Sequence, residues 1–581
     1  MPTTPSPSNS NRWRNYFLGP KNENFSPGTQ ECLLLIAFLS IFLPLLLYIF
    51  REMDDNRLTS WNWVFTPADL PIFISGLLLA VLLAYLPAQS NRWPTNNSLL
   101  LIATAILAVP FWQEPEVIVD AARYFTQAKL LATHGIGYFF RQWGKEVFAW
   151  TDLPLTPFLY GLIFKFLGED RLYIQILNTI FMTGTILLTS RLGQLLWDKE
   201  TGFYGGILLL CIPYLLTQVP LMLVDVPTTF FLMLAIVSFV QAVTKGGAGN
   251  ILWAGFALFL AFFAKYSTWI LLSIHGLIAL VLLNSHSRIK VFRRASLTFL
   301  LALLLISLAF LHFKGVMIDQ MLLLNTYQKP GLQRWSESLI STFFFQTHPF
   351  IPILALASAW IAWRARDARY LIIIFPVLLI TVILQIKRIR YTIPIFPLLT
   401  LMAAYCIARI PTLRVKRFLI LCMLNTSLFI ALAGFLPFLR NMSDSNIMAA
   451  GRFLNDRGVK HARVVPIPMD NDIINPTVFV PLLDLFTTTR LNAIAEPVPK
   501  EIKERFQTSS LRFTWEFILP DFYAEGTRPL YPDALVTLSG TEYPSLQPPL
   551  GEVIKNYANR RDFNQASGIF QHNTFVTVFY N

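Results

Sequence analysis

Three carboxylates and a tight run of cations are spaced along this chain in ways that could do chemistry. In VIVDAARYFTQAK (117–129), Asp120 stands three residues before Arg123 and four before Tyr124. A helix over this stretch sets Glu116, Asp120, Arg123 and Gln127 in one polar stripe beside the apolar Val117, Ala121, Tyr124, Ala128 and Leu131. A positioned carboxylate such as Asp120 can take the proton of an attacking hydroxyl. Further on come Asp152 in AWTDLP, Asp225 in LMLVDVP, Lys265 in FAKYS, and KRIRY, which carries Lys387, Arg388, Arg390 and Tyr391. A planar guanidinium can hold a phosphate at two points, and an ammonium acts as a point charge. The bland readings are definite as well. Asp120 with Arg123 is also the spacing of an ordinary surface ion pair, and Asp225 before an apolar run is also a helix cap.

The elements that must position these residues are membrane helices. Of 581 residues, 54% are hydrophobic, 14% aromatic and only 14% charged, a composition suited to lipid rather than water. Runs such as CLLLIAFLSIFLPLLLYIF satisfy the roughly 20 apolar residues that a crossing needs. All four cysteines lie within such runs, which argues for packing rather than disulfides or metal thiolates. The pattern predicts a polytopic α-helical membrane protein of about 13 spans, followed by a small C-terminal α/β domain.

With the N-terminus inside, the short inner loops hold Arg191 and Lys199, Arg288 to Arg294, Arg364, Arg366 and Arg369, and Arg409 to Arg417. That is the cation excess expected of cytoplasmic loops. Counting LPLTPFLYGLIFKFLG (153–168) as a span would move every later basic loop outside, so it reads as a re-entrant or interfacial piece. Asp120, Asp152, Asp225, Lys265, Lys314, His348 and KRIRY then all fall on the outer face. Three cations in one outer turn run against the charge rule and point to an anionic ligand there. Both His348 and His134 read as local hydrogen-bonding groups. The net charge of +13 is spread over loops and makes no nucleic-acid footprint.

The division that follows has four parts. Residues 1–29 form a disordered cytoplasmic tail and 30–97 two extra N-terminal spans. Residues 98–439 form the transmembrane core, with an outer interfacial loop at 113–170, and 440–581 an extracytoplasmic α/β domain in which MAAGRFLNDRGVKHARVVPIP reads as helix, turn and strand.

Across roughly 98–410 the chain resembles the polyprenyl-phosphate-dependent C-type glycosyltransferases, related to glycosyltransferase family 39 and the lipid A aminoarabinose transferases. Asp120, Arg123 and Tyr124 match an Asp-Glu-x-Arg-Tyr pattern, with Ala121 in place of the second acid. Trp150, Asp152 and Pro154 match part of an aromatic-acidic-Lys-Pro-Pro segment, with Leu153 where lysine is common. Asp225 and Pro227 match Thr-Asp-Met-Pro, and Arg388, Arg390, Tyr391, Pro394 and Pro397 match a basic Tyr-x-x-Pro-x-x-Pro segment.

The resemblance implies inverting transfer of a sugar from a polyprenyl phosphate to an acceptor hydroxyl. Asp120 is then the base, and Arg123, Tyr124, Asp152, Asp225, Lys265, Lys387, Arg388, Arg390 and Tyr391 are the substrate-binding residues. Without the lysine at 153, the lipid phosphate falls to Lys265, Arg388 or Arg390. No resident cofactor is called for, although a divalent cation is compatible with the acidic positions. The implied partners are the lipid-phosphate sugar, a glycan, lipid or protein acceptor, and membrane lipids, with the protein in a bacterial plasma (inner) membrane. The rival reading is a transporter or flippase for a lipid-linked or anionic substrate. Against it, the ionisable residues gather at span ends on one face rather than at the midplane of repeated halves.

Overall fold

In a computed structural model, the described residues are 27–66, 69–89, 96–283, 287–328, 337–469, 472–493, 498, 500–509, 511–524, 532–542, 550–566 and 573–581. The expected tail lies outside them up to residue 26, and the first helix begins at Pro27.

The protein is an integral, multi-pass helical membrane protein with a small C-terminal sheet. Among the described residues, eight helices are long and apolar enough to cross a bilayer, from Gly28–Ile49 to Leu413–Arg440. Asn97–Phe111, Ala248–Ala264, Phe350–Ala365 and Tyr370–Ile383 are apolar but shorter. The apolar run around residue 211 is split between Lys199–Leu209 and Pro213–Gln218, because Pro213 cannot continue a helix from the preceding turn. The tally of about 13 spans therefore rests on short and broken helices as well as long ones.

Packing between these helices depends on close approach more than on hydrophobicity, since lipid tails are as apolar as leucine. The two N-terminal helices, Pro27–Ile49 and Leu70–Ala88, lie against Leu413–Ile430, with Leu33, Val81, Ala84 and Cys422 buried between them. Asp225–Lys245 is buried over most of its length and packed on Ala248–Ala264 and Arg171–Leu196.

The loop expected at 113–170 folds into Ala121–His134 and Leu155–Leu167, packed on one another. The first of these departs from expectation. An interfacial helix with a solvated face would expose its polar stripe, yet every residue from Ala121 to Ala128 is buried, and Glu116 lies before the helix begins. Leu155–Leu167 covers one side, the short helix Phe479–Asp484 of the C-terminal unit another, and the polar stripe is taken up by Asp152 and the Phe148 carbonyl.

That unit contains helix Ser445–Asp456 and a five-stranded sheet of β1 (His461–Ile467), β2 (Arg490–Ala493), β3 (Ala534–Ser539), β4 (Asn559–Phe563) and β5 (Phe575–Tyr580) in the order β2-β1-β3-β5-β4. The pairs of β1 with β2 and β3 are parallel, and those of β5 with β3 and β4 antiparallel. Central β3 is buried on both faces. Edge strand β4, NRRDF, is exposed and charged, which discourages pairing with another chain.

Candidate active site

Five segments, all at one end of the bundle, bring most of the expected residues together. Asp120 occupies the N-cap position of Ala121–His134, but its side chain caps no backbone amide. One oxygen accepts from Arg123 Nη1 at 2.9 Å and the other from Arg390 Nη1 at 2.7 Å. Arg123 sits one turn along the same helix, so its guanidinium also reaches Asp152. Its Nε donates to Oδ2 at 2.8 Å and its Nη2 to Oδ1 at 3.0 Å, a two-point pairing. Tyr124 Oη donates to the same carboxylate at 3.1 Å and Gln127 Nε2 at 3.2 Å.

Arg390, at the start of the segment Ile389–Ile407, turns its other edge to Asp225, with Nη2 at 3.1 Å and Nε at 3.2 Å. Asp225 opens its own helix but spends its oxygens on Arg390 and on Lys265 Nζ, which lies at 2.6 Å, instead of on helix amides. Lys265 reaches there because helix Ala248–Ala264 stops short of it. The chain turns extended at Lys265, and Thr268 Oγ1 and Trp269 Nε1 take up the freed carbonyls of Ala261 and Phe262.

The result is one alternating chain of charge: Lys265, Asp225, Arg390, Asp120, Arg123, Asp152. Exposure along it is uneven. The side chains of Asp225, Arg123 and Asp152 are 1%, 5% and 6% exposed, against 21% for Asp120, 19% for Lys265 and 11% for Arg390. A ligand therefore meets one carboxylate and two cations. Burial works to raise the pKa of Asp120, but Arg123 and Arg390 overcome it and hold the carboxyl well below the ordinary carboxylate range. Burial, then Asp152, push the Tyr124 hydroxyl up, which keeps it a donor.

Two of the expected substrate contacts stand apart from this chain. The Lys387 ammonium makes no ion pair among the described residues, and its carbonyl accepts from Thr342 Oγ1. Arg388 faces the buried Glu337 instead. Tyr391 lies under Lys265, with Nζ 5.0 Å from the ring centroid. Leu153, where the family pattern favours lysine, is buried in an apolar cluster with Phe139, Trp143 and Val147. His348 is a local hydrogen-bonding group, paired with Thr426 Oγ1 at 2.9 Å.

Several supports have no signature in the sequence. Gln320, in the last turn of the long helix Arg288–Leu323, donates to the Asp152 carbonyl at 2.9 Å and accepts from Tyr266 Oη at 2.6 Å. Phe513 of the C-terminal unit covers Arg123, with Cζ 4.4 Å from the ring centroid. Glu116 accepts from Arg171 Nε at 2.8 Å and from the Met222 amide at 3.1 Å, tying the outer loop to the turn before Asp225. A divalent cation does not fit the donor set, because all three aspartates already hold guanidinium or ammonium groups and no cluster of three or more metal-ligating side chains occurs among the described residues.

Residues 152–313 match the family model described as dolichyl-phosphate-mannose-protein mannosyltransferase, a stretch that includes Asp152, Asp225 and Lys265. The fold is that of ArnT from Cupriavidus metallidurans. The structure of that protein bound to undecaprenyl phosphate aligns at 11% identity and TM-score 0.52 over 83% of this chain and 97% of that one. Its apo form aligns at 12% identity with the same coverage and score. The archaeal oligosaccharyltransferase AglB from Archaeoglobus fulgidus, in complex with an inhibitory peptide and a dolichol phosphate, is more distant, at 13% identity and TM-score 0.44 over 76% of this chain and 69% of that one. No curated protein matches the chain by sequence. The resemblance to polyprenyl-phosphate-dependent glycosyltransferases thus extends from the sequence motifs to the fold.

Proposed function

We propose that the protein is a glycosyltransferase that moves a sugar from a polyprenyl-phosphate donor to an acceptor hydroxyl at the extracytoplasmic face, with inversion. The observation that carries this reading is the graded exposure of the ion chain, which presents one carboxylate, Asp120, beside two phosphate-binding cations, Arg390 and Lys265. The N-terminus lies on the cytoplasmic side in this reading, and the membrane is a bacterial inner membrane.

The step balances simply. The acceptor oxygen attacks the anomeric carbon from the side opposite the phosphate and its proton passes to Asp120. The bond from the anomeric carbon to the phosphate oxygen breaks, and polyprenyl phosphate leaves with the electron pair. Arg390 and Lys265 neutralise the charge that develops on it. Asp152 keeps Arg123 aligned, and Arg123 keeps Asp120 aligned.

Arg390 has a second part to play. While it pairs with Asp120 the carboxylate is a weak base, so a donor phosphate that draws Arg390 toward itself strengthens the base when substrate is present. Base and phosphate site are therefore coupled through one guanidinium.

The test is transfer of labelled sugar from a panel of polyprenyl-phosphate sugars by purified protein in lipid, with wild type and Asp120→Asn side by side. Wild type transfers sugar or slowly hydrolyses a donor. The variant, still folded at the assay temperature, loses about 10²–10⁴-fold. Equal rates from both proteins would remove Asp120 from the chemistry, and no turnover of any donor by wild type would sink the enzyme reading.

A further inference from the structure

At the end of the bundle opposite Asp225 and Arg390 lies a cavity of about 430 Å³ lined by Val281, Arg366, Asp367, Arg369, Tyr405 and Arg409 among others. We propose that it binds a phosphate-bearing anion, either the headgroup of an anionic phospholipid or a soluble phosphate ester. The positive-inside pattern places it in the cytoplasm and accounts for cations in these loops, but not for how they are held.

Asp367 cannot serve as counter-ion to all three arginines, because its oxygens are already taken. Oδ1 accepts from Arg369 Nε at 2.9 Å and from the Arg369 amide at 3.1 Å. Oδ2 accepts from Trp197 Nε1 at 2.8 Å, Arg369 Nη2 at 3.1 Å and Tyr405 Oη at 3.3 Å. The carboxylate is thus a brace that fixes Arg369 and Tyr405.

Arg409 lies flat on the Tyr405 ring, with Cζ 3.1 Å from the centroid, and spends Nη1 on the Tyr405 carbonyl at 2.7 Å. The rest of its fork makes no hydrogen bond or ion pair among the described residues. Burial pulls the Arg409 pKa below its ordinary value even with Tyr405 and Asp367 acting against it, the mark of a half-buried cation short of counter-charge. Arg366 caps its helix in the left-handed region, at φ 52°, a conformation that costs a long side chain energy and that fixes where the residue leaves the helix. Its guanidinium makes no hydrogen bond or ion pair among the described residues.

Two guanidiniums with unspent donors, that of Arg409 anchored on Tyr405 and that of Arg366 at the pocket wall, suit a phosphate's several oxygens in a pocket of this size. The exposed Trp360 and Trp363 lie on the last turns before Arg366, the place of an interfacial aromatic belt, and put the cavity at headgroup depth.

The test is the thermal midpoint of the full-length protein in phosphatidylcholine nanodiscs. One arm adds phosphatidylglycerol to the bilayer and the other adds inorganic pyrophosphate to the buffer. Wild type is run with the double variants Arg366→Gln/Arg409→Gln and Arg366→Lys/Arg409→Lys. The midpoint of wild type rises with at least one probe, the glutamine variant loses the rise, and the lysine variant binds about tenfold weaker because it keeps charge without the fork. A rise with phosphatidylglycerol alone identifies a headgroup site, and a rise with pyrophosphate a site open to soluble phosphate esters. The proposal is overturned by no rise with either probe, by equal rises in all three proteins, or by full binding in the lysine variant. If the glutamine variant does not fold, the comparison of lysine variant with wild type still decides.

Discussion

At the residue scale, Asp120 is held between two guanidiniums and is therefore ionised well below the pH at which free carboxylates, near about 4, take up protons. The sign of the linkage follows. Its stabilising contribution is fully present above about 4 and is lost as pH falls through its lowered native value. If Asp120 is the base, the acid limb of kcat/KM for donor turnover lies below the ordinary carboxylate range. Replacing Arg390 with glutamine removes one of the two opposing cations and leaves the upward push of burial less opposed, so the limb moves up. Arg390→Lys, which keeps a charge, moves it less. The position of the limb is the readout, since the variant also weakens phosphate binding and lowers the plateau. An unmoved limb in Arg390→Gln would mean that the titrating base is another group. Much of this chain of charge was legible beforehand. Asp120 with Arg123 follows from helical spacing, Asp152, Asp225 and Arg390 from motif order, and Lys265 from its expected place on the same face. Gln320, Phe513 and the Glu116–Arg171 pair were not, because each acts on a partner 55 to 390 residues away and nothing in local periodicity encodes such a meeting.

At the element scale, the site depends on how closely Ala121–His134 lies against Leu155–Leu167. The contact is closest at Gly161, where a Cβ would fall 2.7 Å from Leu131 Cβ and 2.9 Å from its Cδ1. The first of these atoms is fixed to the backbone, so no rotamer change relieves the overlap and the helices must separate. Gly161→Ala is expected to cost about 1–3 kcal/mol through this overpacking, seen as a lowered thermal midpoint. It also drops kcat/KM, because Asp120 and Arg123 ride on one helix while Asp152 precedes the other. Unchanged stability and rate would show that the two helices can part freely. The sequence located both elements but misread the setting of the first. A polar stripe beside an apolar one is what a membrane-surface helix shows. It is equally what a buried helix shows when its polar stripe carries an ion network and its other faces meet protein, and period alone does not separate the two.

At the scale of the whole molecule, the C-terminal unit and the outer loop share one apolar core. Ile118, Val119, Ala121 and Tyr124 of the loop, and Leu221 and Val224 before Asp225, lie in the same buried cluster as Leu454, Val464, Phe479, Leu482 and Val578 of the C-terminal unit. Around it run polar ties: Lys129 Nζ lies 2.5 Å from Asp484 and 2.7 Å from Glu169, and Tyr523 Oη donates to Asp484 at 2.6 Å. A unit merely tethered by its chain would bury its core alone and open alone. A shared core makes opening a joint event, because separating the parts exposes both sides to water. Hydrogen exchange measures this directly. Amides of β3 and β5 and those of Ala121–His134 are expected to exchange slowly and at similar rates. Val578→Ala, a cavity in strand β5, is expected to speed both sets by a similar factor, about tenfold or more for a loss of 1.5–3 kcal/mol. If only the strands speed up, the C-terminal unit is an independent domain resting on the helical core. If both speed up together, the roof over Arg123 is part of the structure that holds Asp120 and Asp152 in place, and variants in the sheet will lower activity without touching substrate.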